Sequence, residues 1–223
     1  MKNKILIAAA LLLSTYFLQS CGNSNNKAEN EMNSSMNHMG QNDQMNSGEM
    51  GGDNDMMKAM SGTMGKMESM KITGDFDLDF ANMMIIHHQR AIDMSEVEIA
   101  KGSAEQMKDM AKNIISAQKS EIAQFQAFIK NYKIPATKGN TAEMHDELTG
   151  TMKAMMETMN NMKMTGNTDK DFAMMMITHH ESAVEMAKNQ LSHGKQLELK
   201  KMAQKVIADQ SREIDEFKSW SSE

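Results

Sequence analysis

Proline, cysteine and aromatic residues are nearly missing from this chain. Pro135 is the single proline in 223 residues, so long stretches lack the residue that breaks helices most strongly. Cys21 is the one cysteine, which excludes an internal disulfide and every motif built on paired cysteines. With 7 Phe, 2 Tyr and 1 Trp, aromatic side chains cannot dominate a core. Basic clusters are also missing, and with a formal charge of -6 this argues against nucleic acid as a partner. No Gly-rich phosphate loop, Gly-x-Ser-x-Gly, Cys-x-x-Cys-His or His-Glu-x-x-His occurs, so the common nucleophile, haem and zinc-protease signatures are excluded.

Methionine fills the gap, with 29 residues. It is a flexible core filler, but a core built mainly from it would be poorly specified, so the excess asks for a second explanation. Abundant Ala, Met, Lys, Glu and Gln favour an all-helical domain.

The N-terminus reads as a targeting segment. Lys2 and Lys4 precede an apolar stretch from Ile5 to Leu18, too short for a spanning helix of roughly 20 residues. Leu18-Gln19-Ser20-Cys21 follows and resembles a bacterial lipobox, with residues 1–20 as signal peptide and Cys21 as the lipidated residue that ties the chain to a membrane. The alternative is plain signal cleavage that leaves a free thiol. Residues 21–52 lack periodicity and read as a disordered tether. The tether carries Met32, Met36, His38, Met39, Met45 and Met50, which could capture a soft cation or be incidental to a solvated spacer.

Two stretches of sixteen residues then repeat at an offset of 92 without a gap: Asp79–Met94 and Asp171–Met186. Both read D-F-A-x-M-M-I-x-H-H-x-x-A-x-x-M. The offset also relates Thr73-Gly74 to Thr165-Gly166, Gly102 to Gly194, and Gln118, Glu121, Ile122 and Phe125 to Gln210, Glu213, Ile214 and Phe217. A duplicated supersecondary unit follows, with copies over 53–134 and 141–220. Three helices are predicted in each: about Asp53–Met70 and Thr141–Lys163, Met-rich; about Asp75–Lys101 and Thr168–His193, carrying the motif; about Ser103–Tyr132 and Lys195–Trp220. Gly102 and Gly194 suit left-handed C-caps, and Ser103 with Gln106 fits a capping box. Ala111, Ile115, Gln118, Ile122, Phe125, Ile129 and Tyr132 predict the buried stripe of the third helix. Short connections make neighbours antiparallel, so two hairpins should form a four-helix bundle with the Met-rich helices outside it or capping it.

The motif is also a set of metal donors. Met83 to His87 and Met84 to His88 are four residues apart and Met84 to His87 three, spacings at which side chains meet on a helix. Met175, Met176, His179 and His180 repeat the arrangement. Thioether sulfur and imidazole nitrogen suit Cu(I) and Ag(I). For Met94 and Met186 the core and ligand readings are equally open. Gln118, Glu121, Gln210 and Glu213 could orient the histidines or be solvated. A di-iron bundle would need Glu-x-x-His, and no histidine has Glu three residues before it. Ligands are present without an evident general base or nucleophile, which predicts a binder rather than an enzyme. Neutral imidazole is required for ligation, so His-dependent affinity should fall as the pH drops through about 6.5.

These motifs, with the following Q-x-x-E-I, resemble the domain-of-unknown-function 305 family, which includes exported copper-binding proteins of the CopM type. The resemblance covers most of Asp53 to Trp220. It implies a ferritin-like antiparallel helical bundle and a role in copper or silver tolerance by binding the ion in the periplasm. It makes His87, His88, His179 and His180, with the neighbouring methionines, the leading ligands. Asn82 stands where the second copy has Met174, so the two sites could differ in donor number. The expected function is a lipid-anchored, periplasm-facing protein that binds Cu(I), and further Ag(I) and Cu(II), for buffering, sequestration or resistance, or for delivery to a copper exporter or another copper protein. A structural module with adaptable Met-rich surfaces and, more remotely, a metal-dependent oxidase are the competing expectations.

Overall fold

Strong local signals start the two motif helices at the same point of the repeat. The computed structural model describes residues 51–61, 66, 69–135 and 142–222. The signal peptide, Cys21 and nearly all of the tether lie outside the described residues. The helices are α1 (Gly51–Ser61), α2 (Phe76–Lys101), α3 (Glu105–Asn131), α4 (Ala142–Asn160), α5 (Thr168–His193) and α6 (Leu197–Trp220). Among the described residues there is no strand, and no helix is long and apolar enough to cross a membrane. The 92-residue offset carries both ends of α2, Phe76 and Lys101, onto both ends of α5, Thr168 and His193.

Side chains set those starts. Asp75 accepts from the Leu78 amide at 3.0 Å, and Asn167 accepts from the Lys170 amide at 2.9 Å. The motif aspartate, one turn in, folds the incoming chain back. Asp79 accepts from Thr73 N (2.9 Å), Thr73 Oγ1 (2.8 Å) and Gly74 N (3.1 Å). Asp171 does the same with Thr165 and Gly166 at 2.7, 2.7 and 3.1 Å. This turn needs a left-handed residue, and Gly74 and Gly166 supply it at φ 82° and 79°. A Cβ on Gly166 would meet nothing within 4 Å, so a G166A substitution tests backbone strain alone. It is expected to cost about 1–2 kcal/mol, read as a lowered urea midpoint with an unchanged slope; an unchanged midpoint would refute the strain.

Gly102 and Gly194 correct the prediction made for them. Their φ values are -64° and -63°, so neither is a left-handed cap. Glycine is needed because the helix end is crowded: a Cβ would sit 2.7 Å from the Glu98 carbonyl oxygen at one site and 2.5 Å from that of Gln190 at the other. The predicted capping box fails too. Ala104 is the N-cap of α3 and makes no side-chain cap bond. Its place is taken by Asp169 of α5, which accepts from Ser103 N (2.9 Å), Ser103 Oγ (2.9 Å) and Ala104 N (2.8 Å). Reciprocally, Asp77 of α2 accepts from Lys195 N (3.0 Å) and Gln196 N (3.2 Å), which begin α6.

α2 packs on α3, and α5 on α6, as the short connections predicted. Phe80 meets Phe125 edge-on at 5.9 Å, and Phe172 meets Phe217 at 5.6 Å. α2 and α5 run antiparallel, since Asp77 near the start of one bonds Gln190 near the end of the other. α1 and α4 lie against both motif helices, and Met56, Met60, Met152, Met155 and Met159 join the same core as Met83, Met84, Met175 and Met176. The Met-rich helices thus lie outside the hairpins, as expected, and wall in the motif helices. Burial accordingly runs round most of α2 and α5 instead of along one stripe. On α3 the buried set is Met107, Ala111, Ile114, Gln118, Glu121, Phe125 and Phe128. The predicted stripe is therefore rotated: Ile115, Ile122 and Ile129 are half-buried at its flank, and Glu121 lies inside because it has a buried partner.

Candidate metal centre

That partner is His88. Its Nε2 lies 2.8 Å from Glu121 Oε2, and Lys205 Nζ reaches Glu121 Oε1 at 2.9 Å. Burial works to raise the Glu121 carboxyl, but the bonds from His88 and Lys205 outweigh it and hold the group below its ordinary value. An ionised carboxylate can only accept, so His88 donates an N–H from Nε2 to it. Nδ1 is buried without a hydrogen-bond partner. In the second copy His180 Nε2 lies 2.9 Å from Glu213 Oε2, a close contact without hydrogen-bond geometry, and both ring nitrogens of His180 are buried without a hydrogen bond. Glu121 thus orients His88, one of the two roles open to it from the sequence, and Glu213 stands at the matching place beside His180. A carboxylate that fixes the tautomer of an imidazole is the usual outer support of a metal-binding histidine.

His87 and His179 behave differently. They meet with ring centroids 3.7 Å apart and planes tilted by 36°. The 92-residue offset exchanges them, so they mark the approximate twofold axis between the copies. Both are fully buried, and neither ring has a hydrogen bond to Nδ1 or Nε2. Burial, then the charges of His88, Arg90 and His180, hold His87 well below its ordinary value. Burial, then His87, His180, Arg90 and His88, do the same to His179. Both rings are therefore neutral at pH 7. This corrects the pH expectation: for this pair, competition from protons sets in well below 6.5. The depressed values also tie stability to pH, because the pair's contribution is present above the unfolded value and lost in acid as the rings protonate.

Met83, Met84, Met175 and Met176 stand three or four residues before His87 and His179 on the same helices, a spacing at which side chains meet, and all four are fully buried in the shared core. Among the described residues, no three His, Cys, Asp or Glu side chains converge to hold an ion by themselves. An ion at the axis would therefore need thioether sulfur beside imidazole nitrogen, a donor set for soft monovalent metals. The buried nitrogens without partners fit such an ion, since orphaned polar atoms in a core are otherwise costly.

The remaining candidates fall elsewhere. Met94 and Met186 are buried in the core and stand two turns beyond His87 and His179, roughly 10 Å along the helix, away from the contact between the two rings. Met174 lines an outer groove of about 610 Å³ with Ile177 and Trp220, away from the axis. Asn82 bonds its own helix at Leu78 O (3.0 Å). The difference at that position therefore does not change the donors at the axis. His145 lies 2.8 Å from Asp79, and His193 lies 2.9 Å from Glu147; both serve structure. Arg90, fully buried beside the rings, is a residue that pattern reading missed, and its only sequence signal was a charge where the second copy has Ser182.

The family model for the Domain of unknown function (DUF305) matches residues 17–129 and 77–221. The chain belongs to the DUF305 family. CopM in an Ag-bound form obtained by soaking is 30% identical to this DUF305 chain, covering 69% of it and 97% of CopM, with a TM-score of 0.50. CopM in the Cu(I)-bound form is 31% identical, over 66% of this chain and 95% of CopM, with a TM-score of 0.49. A putative secreted DUF305 protein from Streptomyces coelicolor, 20% identical over 66% of this chain and 90% of its own, has a TM-score of 0.51 and shares the helical fold. No curated protein sequence matches the chain significantly.

Proposed function

We propose that this DUF305 protein binds Cu(I) and Ag(I) and serves to buffer or sequester them. One observation carries the reading: two neutral imidazoles with no hydrogen-bond partner meet on the axis of a core that also buries four thioethers of the same two motifs. Likeness to CopM, which has been seen with silver bound, supports it. Met83, Met84, His87, Met175, Met176 and His179 would form the inner donors, with His88 and His180 offering Nδ1 from the flanks. The soft donors would supply ligation, so the reading is of a binder. The lipobox-like Leu18–Cys21 segment supports an exported, lipid-anchored protein facing the periplasm, where thioethers bind soft ions without forming disulfides.

Competition titration with Ag(I) and with Cu(I) against a chelator tests this. Wild type is expected to gain about 2.7 kcal/mol of stability when free ion reaches a hundred times Kd. A His87→Leu/His179→Leu variant is expected to lose at least tenfold in affinity while keeping its helical circular dichroism. Equal affinity in the two proteins would sink the site.

A further inference from the structure

The two motif copies differ in charge at one buried position. Arg90 follows His87 by three residues on α2, and the offset puts Ser182 in its place on α5. Arg90 heads the largest fully buried side chains of the described residues. A guanidinium stays cationic in a folded protein. Residues three apart share a helix face, so this charge lies one turn from His87, and the contact between the rings brings it close to His179 as well. It acts on both rings, being among the causes that hold each in its neutral form. Asp93, half-buried one turn further along and held by Gln89 at 2.8 Å, offsets part of the charge. The carboxylates of Glu121 and Glu213 are turned to the outer histidines and not to the central pair.

We propose that Arg90 sets the charge selectivity of the His87–His179 site, favouring monovalent soft cations over divalent ones. The proposal rests on the soft-metal reading above. Every inner donor, imidazole or thioether, is uncharged, so an ion at the axis keeps its full charge inside the core. Repulsion from a fixed cation grows in proportion to the charge of the ion, and desolvation grows faster still. A divalent ion is therefore disfavoured at least twice as strongly as a monovalent one. For copper this means that Arg90 favours Cu(I) over Cu(II) and raises the midpoint potential of the bound ion.

Redox titration of copper bound to the full chain tests this, in wild type, R90Q and R90K, beside competition titrations with Cu(I) and Ag(I). R90Q is expected to shift the Cu(II)-to-Cu(I) affinity ratio at least tenfold toward Cu(II), a midpoint lower by about 59 mV. R90K, which keeps the charge, is expected to stay within threefold of wild type. An unchanged midpoint in R90Q with Cu(I) binding intact overturns the role of Arg90 and leaves the soft-metal reading standing. Wild type that binds neither Cu(I) nor Ag(I) overturns both. Where R90Q fails to fold, D93N replaces it: removing the offsetting carboxylate is expected to raise the midpoint, and an unchanged or lowered midpoint overturns the proposal.

Discussion

Replacing Asp77 and Asp169 together by alanine is expected to destabilise the chain by about 4–6 kcal/mol, a large part of the roughly 5–15 kcal/mol that holds an ordinary domain folded. Neither α3 nor α6 has a cap of its own, for Ala104 and Gln196 make no side-chain cap bond. Each helix borrows a carboxylate from the motif helix of the other copy. Asp169 receives three hydrogen bonds from Ser103 and Ala104. Asp77 receives the amides of Lys195 and Gln196 and the side-chain amide of Gln190. Both aspartates are buried, so truncation leaves amide donors without partners and takes a negative charge from a helix N-terminus, where the dipole favours it. The two sites are some 30 Å apart along α2, too far to share partners, so the single variants should add to the double. Chemical denaturation would measure this; a double variant within about 1 kcal/mol of wild type is incompatible with cross-copy capping.

The sequence was legible where one local pattern decides a local outcome. The motif repeat located α2 and α5, and the short connection at Gly102 signalled the hairpin. It was not legible where a residue serves a partner far along the chain. Asp77 looks like an ordinary first-turn acid, yet it bonds residues more than a hundred positions away. Ser103 carried a capping-box pattern but donates to Asp169 instead of accepting from its own helix. Gly102 and Gly194 are required by the crowding of Glu98 and Gln190 against them at the helix ends, which no dihedral rule exposes. On α3, hydrophobicity favoured Ile115, Ile122 and Ile129, whereas Glu121 is buried because His88 needs an acceptor. The histidine doublet was visible as a ligand set, but its division of labour was not. His87 and His179 meet across the axis while His88 and His180 turn back to glutamates, and that division depends on how the two copies dock.

Docking also sets apart the two ends of the central helix pair, and Glu98→Gln is expected to stabilise the chain in neutral and alkaline solution while changing little in acid. Gln190 donates its amide to Asp77 at 2.7 Å, a bond available at any pH. The offset places Glu98 at the matching position beside Asp169, where it can donate only while protonated. Burial, then the hydrogen bond and charge of Asp169, push the Glu98 carboxyl up to about 8, against a smaller pull from Lys108. Burial works to raise Asp169, but the Ala104 amide, Glu98 and Ser103 outweigh it and hold Asp169 below its ordinary value. An unfolded glutamate releases its proton near ~4.3, so between that value and about 8 the folded chain keeps a proton that the unfolded chain has lost. Stability therefore falls as the pH rises through this window. The Glu98 contribution is whole below it and gone above it. Asp169 has the opposite sign, contributing above its unfolded value and losing that contribution in acid, so the two carboxyls titrate as a pair. Glutamine donates without a proton to lose. The stability of E98Q relative to wild type should thus grow between pH 5 and pH 8 and then level off, by about 2 kcal/mol after allowance for screening at the helix end. The mirror variant Q190E should acquire the same alkaline sensitivity at the Asp77 end. Denaturation at pH 5, 7 and 9 decides the matter: a constant difference between E98Q and wild type across the three would rule out a proton held between Glu98 and Asp169.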